Sequence, residues 1–191
     1  MRKSKFKDKM RALLFTSLDC EKIDIIKLIS CQVEFTKEDY NSFLMKASRI
    51  SLDIVKYFVD KGADVNSISN LPLIRSASAG KFDIFKYLID KGANIRIGSV
   101  LTAACDRGNI NIVKYILENG GNVHEEHYGE IDAPLISSAS NGHLDVVKYL
   151  SKYTDYIDKS KKNALLKSYK YGHTKVFEFL KKIGWGDKDN E

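Results

Sequence analysis

Four consecutive residues, His124-Glu125-Glu126-His127, set two imidazoles and two carboxylates side by side, a donor set chemically able to hold a transition metal. The spacing does not suit it. A helical HExxH site needs its histidines four apart on one face, and these are three apart. They also sit between Gly120-Gly121 and Gly129, which predicts a flexible polar hairpin tip fit for touching a partner. His143 and His173 each follow a glycine and have neither a nucleophile nor a carboxylate beside them, so a turn-stabilising role is expected in place of catalysis. Cys20, Cys31 and Cys105 form no CxxC pair and cannot all pair with one another, which argues against a cysteine zinc site and suits a reducing compartment. Cys105, after Ala103-Ala104, reads as a buried small apolar group, and Cys20 as a more exposed one. Gly184-Trp185-Gly186 lacks the third glycine and the Lys-Ser/Thr pair of a phosphate-cradling loop, and no GxSxG elbow occurs. No enzyme activity, metal or cofactor is expected.

The composition points the same way. A chain of 191 residues with 43% hydrophobic and 29% charged residues is rich enough in apolar groups to bury a core, so it is expected to fold, and its length suits one domain. The longest apolar run, Ala12 to Phe15, is far below the roughly 20 residues of a membrane span, and is too short for a signal-peptide core. A cytoplasmic location is expected. The net charge of +6 is uneven: residues 1–11 carry +5, residues 12–158 carry −4, residues 159–182 carry +7 and residues 183–191 carry −2. Basic ends on a mildly acidic body are not the continuous basic stripe that phosphate tracking needs, and lysine outnumbers arginine. Nucleic acid is therefore disfavoured as a partner. The stretch Arg2 to Lys9 reads as a solvated lead-in, with a nuclear address or an anionic-surface anchor as alternatives.

The elements that must carry these residues repeat. Ile23 to Leu28, Leu52 to Tyr57, Phe82 to Tyr87, Ile110 to Tyr115, Leu144 to Tyr149 and Thr174 to Phe179 share one apolar-acid-apolar-apolar-basic-aromatic pattern, with departures in the first, fourth and last. From Lys27 through Lys56, Lys86, Lys114 and Lys148 to Glu178 the steps are 29, 30, 28, 34 and 30 residues. A period near 30 means stacked supersecondary units. Within residues 71–94, Pro72 suits the first turn of a helix and Gly80 its end. Phe82, Phe85, Leu88 and Ile89 then mark a second, amphipathic helix closed by Gly92, with Asn94 folding onto the next turn. Tyr57, Tyr87, Tyr115 and Tyr149 resemble a stacking platform for nucleic acid, but their place on the apolar face predicts a packing ladder between units.

Asp60-Lys61-Gly62-Ala63-Asp64-Val65-Asn66, Asp90-Lys91-Gly92-Ala93-Asn94-Ile95 and Ser140-Asn141-Gly142-His143-Leu144 resemble ankyrin repeats across nearly the whole chain. The lysine- and isoleucine-rich diction and the recurring VKYL phrase are similar to the ankyrin proteins encoded by large DNA viruses of amoebae. The resemblance implies an all-α ankyrin-repeat solenoid of about six helix-turn-helix repeats with shortened hairpin loops. Six repeats at about 10 Å each would span roughly 60 Å, enough for a standard-sized interface. The implied layout is a basic lead-in over 1–11, one domain over 12–186 with repeats near 12–38, 39–68, 69–96, 97–128, 129–158 and 159–186, and an acidic tail over 187–191. The family's Thr-Pro-Leu-His phrase survives only as Leu71-Pro72-Leu73-Ile74 and Ala133-Pro134-Leu135-Ile136, so apolar contacts are expected to replace its inter-repeat hydrogen bonds. The atypical first and last copies are expected to be caps.

In function, the resemblance implies a monomeric, non-catalytic protein–protein interaction module, a scaffold or adaptor for a host or viral protein. Its contact residues would lie at inner-helix ends and hairpin fingers. The helix-end positions are Ser48 and Arg49, Ser78 and Ala79, Asp106 and Arg107, Ser140 and Asn141, and Lys170 and Tyr171. The finger positions are Asn70, Arg96, His124, Glu125, Glu126, His127, Tyr128 and Asp132. The alternative is nucleic-acid or anionic-surface binding through the basic terminal segments.

Overall fold

The computed structural model describes residues 2–96, 99–153 and 156–185. Among them lie twelve helices and no strand, with one isolated antiparallel bridge between His127 and Glu130. In chain order the helices are α1 (Arg2–Asp19), α2 (Ile23–Gln32), α3 (Lys37–Ala47), α4 (Leu52–Asp60), α5 (Ser67–Ser78) and α6 (Phe82–Asp90). They continue as α7 (Val100–Asp106), α8 (Ile110–Glu118), α9 (Ala133–Ser140), α10 (Leu144–Leu150), α11 (Asp158–Lys170) and α12 (Thr174–Lys182). The odd-numbered helices are the inner ones, and each is followed by an amphipathic outer helix. The fold divides into two compact units, Met1–Ser76 with Lys81–Asn94, and Ala77–Gly80 with Ile95–Glu191.

The outer helices show why the repeated phrase folds as it does. In α4 the side chains of Ile54, Val55 and Phe58 are buried, and in α6 those of Ile84, Phe85 and Leu88, while Lys56 and Lys86 are exposed. The same registers are buried in α8 as Ile112, Val113 and Ile116, and in α10 as Val146, Val147 and Leu150. Each fully buried aliphatic or aromatic side chain contributes about 1.5–3 kcal/mol, so three per two-turn helix hold elements too short to be stable alone. Gly80 (φ +69°) and Gly142 (φ +78°) end inner helices in the left-handed conformation that a side chain disfavours. Pro134 sits in the first turn of α9, where no N–H is needed. In α5 the residues before Pro72 are not helical: Ile68, Ser69 and Asn70 have φ of 50°, 53° and 67°, so the regular helix begins after them.

Helix α1 runs across the boundary expected at residue 11. Arg11 is hydrogen-bonded to Asp39 of α3, and Lys7 lies 3.5 Å from the same carboxylate. Asp39 also closes a capping box with Thr36 at the start of α3. Burial pushes its pKa up, but the Thr36 N–H and the Arg11 guanidinium outweigh that and hold it below 3.8. The inter-repeat bonds lost with the Thr-Pro-Leu-His phrase are not replaced by apolar contacts alone. Asn109 Nδ2 donates to Ala77 O (2.6 Å), His143 Nε2 to Asp106 O (2.9 Å) and His173 Nε2 to Ser140 O (2.8 Å), each tying an outer-helix start to the inner-helix end of the repeat before. Polar ties persist at another position. In the first repeat, one of the two atypical copies, Leu13, Ile25 and Leu28 are 51%, 46% and 62% exposed. Gly186 and the acidic tail 187–191 lie outside the described residues.

Candidate functional site

The inner-helix ends of the second unit form a polar row with a bonded base and an exposed crest. Asp106 accepts hydrogen bonds from Ser137 Oγ and Asn141 Nδ2, both at 3.1 Å, and lies 3.3 Å from Arg107 Nε. His143 fastens the same turn from below through the Asp106 carbonyl. Above that network the Arg107 side chain is 65% exposed. At the next level Asn141 is exposed while Ser140 is half-buried and returns its hydroxyl to Ile136 O. One repeat further on, Lys170 and Tyr171 are both exposed, with the ammonium 5.7 Å from the ring centre.

The histidine ties account for the glycines beneath them. A Cβ at Gly108 would lie 2.5 Å from His143 Nδ1, and one at Gly142 would lie 2.5 Å from His173 Nδ1. Each imidazole therefore occupies the space that a side chain at the turn would need. The turn-stabilising role expected of both histidines is what the geometry shows.

The long finger is tied down, contrary to the flexible tip expected from its glycines. Glu125 Oε2 accepts from Thr102 N (3.0 Å) and Thr102 Oγ (2.5 Å), and the Ala133 N–H donates to Glu125 O (2.9 Å). His124 Nδ1 bonds Asp132 Oδ1 at 2.5 Å and its ring lies 5.3 Å from that of Tyr156. His127 Nδ1 and Ser99 Oγ share a bond of 2.6 Å. Burial raises the Glu125 carboxyl above 4.5, against the lowering effect of the Thr102 bonds. His124, Glu125 and His127 thus point into separate intramolecular partners, and no metal-ligand group forms among the described residues. Glu126 and Tyr128 are the exposed residues of the motif, Tyr128 at 94% with its ring 4.1 Å from that of His127.

The other expected contact positions differ in burial. Ser48 is wholly buried and donates to Leu44 O, Asn70 is 2% exposed and donates to Asn94 O, and Asp132 is 1% exposed and holds His124. Asn70 and Asp132 take positive φ just before Pro-containing inner helices, which draws their side chains inward to brace the finger. Ser78 and Ala79 are half-buried, with the Ser78 carbonyl accepting from Asn109. Arg49 and Arg96 are exposed, and the Arg96 guanidinium lies over Gly120, where a Cβ would stand 2.8 Å from its nitrogen.

The outer helices carry a ladder that the sequence reading saw only by its tyrosines. Lys56 lies over Tyr87 (6.0 Å), Lys114 over Tyr149 (5.7 Å) and Lys148 over Phe179 (5.7 Å), each lysine reaching the aromatic ring one repeat on. Lys61, Lys91 and Lys152 cover Tyr57, Tyr87 and Tyr149 from their own repeats. Half-buried and flanked by ammonium groups, these rings are structural, and the lysine one residue before each tyrosine was the signal that could have shown it. A family model for ankyrin repeats, built of three copies, matches residues 13–99 and again residues 100–189. The chain belongs to the ankyrin-repeat family. Two three-copy matches agree with the six repeats counted from the lysine spacing. A comparison with curated proteins finds no match to the chain. Ankyrin repeats are protein–protein interaction modules, typically without catalytic activity, and no described helix is long and apolar enough to cross a membrane.

Proposed function

We propose that this ankyrin-repeat chain is a non-catalytic adaptor that binds a protein through the exposed crest of its inner-helix ends in the second unit, with the long finger as a second contact. The observation that carries this reading is the division of labour at Asp106 and Arg107. The carboxylate is held by Ser137 and Asn141, while the adjacent guanidinium is 65% exposed on a fixed base. A rigid base spares the backbone's share of the ordering cost on binding, and arginine and tyrosine are common energetic anchors. Asn141, Lys170, Tyr171, Glu126 and Tyr128 complete the surface, and Arg49 and Arg96 remain contact positions of the same kind. The similarity of the lysine-rich diction to ankyrin proteins of large amoeba viruses directs the search for the partner to a host cytoplasm, with the chain acting as a monomer.

The test is affinity purification from such a cell, followed by quantitative binding to the captured protein. Arg107→Glu is expected to weaken binding at least tenfold while leaving the melting transition within about ±0.5 kcal/mol of the parent. Normal binding with early melting would make Arg107 a structural residue and defeat the assignment. The nucleic-acid alternative draws its support from the exposed Lys159, Lys175, Lys181 and Lys182 in the segment of net charge +7.

A further inference from the structure

The first repeat carries an exposed apolar face at the registers that the other repeats bury. Ile25 of α2 is 46% exposed, whereas its counterparts Ile54, Ile84, Ile112, Val146 and Val176 are at most 1% exposed. Leu13 of α1 is 51% exposed, whereas Pro72, Val100, Pro134 and Ala164 at that register are buried and Ser42 is half-buried. Leu28, 62% exposed, stands where later repeats place the half-buried ring of Tyr57, Tyr87 or Tyr149. The direction of this face follows from the ladder. Lys56 of α4 covers Tyr87 of α6, and Lys114 of α8 covers Tyr149 of α10, so the ring register looks toward the repeat before it. A repeat face that met only water would carry polar residues at these places. Three large aliphatic side chains there form an exposed apolar surface.

Charge decides what kind of partner fits it. Lys5 and Lys9 on α1, and Lys22 and Lys27 beside and on α2, are exposed around this face, and the first turn of α1 holds no acid to offset its positive pole. Among the acids nearby, Asp8 is 3.5 Å from Arg11 and Asp19 is 2.7 Å from Lys46, which leaves Glu21 and Asp24 as the exposed ones outside such pairs. A second copy of this chain is a poor fit, because residues 1–11 carry +5 and residues 159–182 carry +7, and either end would bring like charge to like. We infer that the outward face of the first repeat, built from Leu13, Ile25 and Leu28, is a docking surface for an acidic amphipathic helix of a partner protein. It is separate from the crest around Arg107 and does not depend on that assignment.

The probe is a fluorescent helical peptide of about 20 residues with leucine at helical spacing on one face and glutamate elsewhere, with a lysine-for-glutamate counterpart as control. Titrated with the full chain at physiological salt, the glutamate peptide is expected to bind at least tenfold more tightly than the lysine peptide. Leu13→Gln with Leu28→Gln should weaken that binding at least tenfold with the melting transition unchanged, since both side chains are exposed. Lys9→Glu should weaken it independently, and Arg107→Glu should leave it unchanged. Equal binding of the two peptides, or undiminished binding by the double variant, overturns the proposal. So does sedimentation showing that the parent self-associates while the double variant is monomeric, which would make a second copy the occupant.

Discussion

At Glu125 a single carboxyl sets a pH dependence whose sign can be worked out. Its folded pKa is raised above 4.5 by burial, so the protonated form is favoured in the native state. The stabilising contribution is fullest below the unfolded value and is lost as pH rises through the folded one. At neutral pH the ionised group is therefore a net burden that Thr102 only partly offsets. Glu125→Gln keeps an acceptor for the Thr102 N–H without the charge, so at pH 7 it should melt no earlier than the parent. As the pH is lowered to 4 the parent should gain on the variant, and thermal melting of both at the two pH values checks the direction. Gly142 shows the opposite sensitivity. With φ at +78° and His173 Nδ1 2.5 Å from where a methyl would stand, Gly142→Ala should cost about 1–3 kcal/mol, read from denaturant midpoints.

Helix-turn-helix order was legible at the element scale because the signals were local. Gly80, Gly108, Gly142 and Gly172 all have positive φ two residues before an outer helix, and the apolar registers that follow them are buried as their spacing predicts. Polar contacts that depend on a residue one repeat away were not legible. Nothing around Asn109 in sequence says that its amide meets the Ala77 carbonyl, and glycines 120, 121 and 129 suggested freedom where distant Thr102 and Ser99 impose order. Of the expected contact residues, Arg107 and Tyr171 proved exposed, whereas Ser48, Asn70 and Asp132 were read as surface because short polar residues carry no mark of the side on which they lie. One exception to the glycine rule makes a prediction. Glu21 occupies the glycine place between α1 and α2 with φ at 54° and is exposed, so Glu21→Gly should stabilise the protein by up to about 1 kcal/mol. A melting temperature that falls instead would mean that the backbone freedom added to the unfolded chain outweighs the strain relieved.

Across the whole molecule the uneven charge separates a docking module from a nucleic-acid binder. The +5 at residues 1–11 is partly engaged, since Lys7 and Arg11 serve Asp39, and removing that segment would dismantle α1 along with its charge. Charge reversal is the cleaner probe. With a labelled DNA duplex, binding is expected to be weaker than about 1 μM at physiological salt and to weaken further as salt is raised. Lys175→Glu with Lys181→Glu should reduce what remains. Sub-micromolar, salt-resistant binding to the duplex would move the function to another class.

The three cysteines turn the molecule into its own clock. Cys20 and Cys31 are exposed, while Cys105 is sealed on α7 with its thiol pKa pushed well up by burial. A thiol reagent in solution therefore meets two sulfurs at once and the third only when the surroundings of α7 open. The mass of the labelled chain, followed over time, counts those openings one molecule at a time without any added dye or engineered residue.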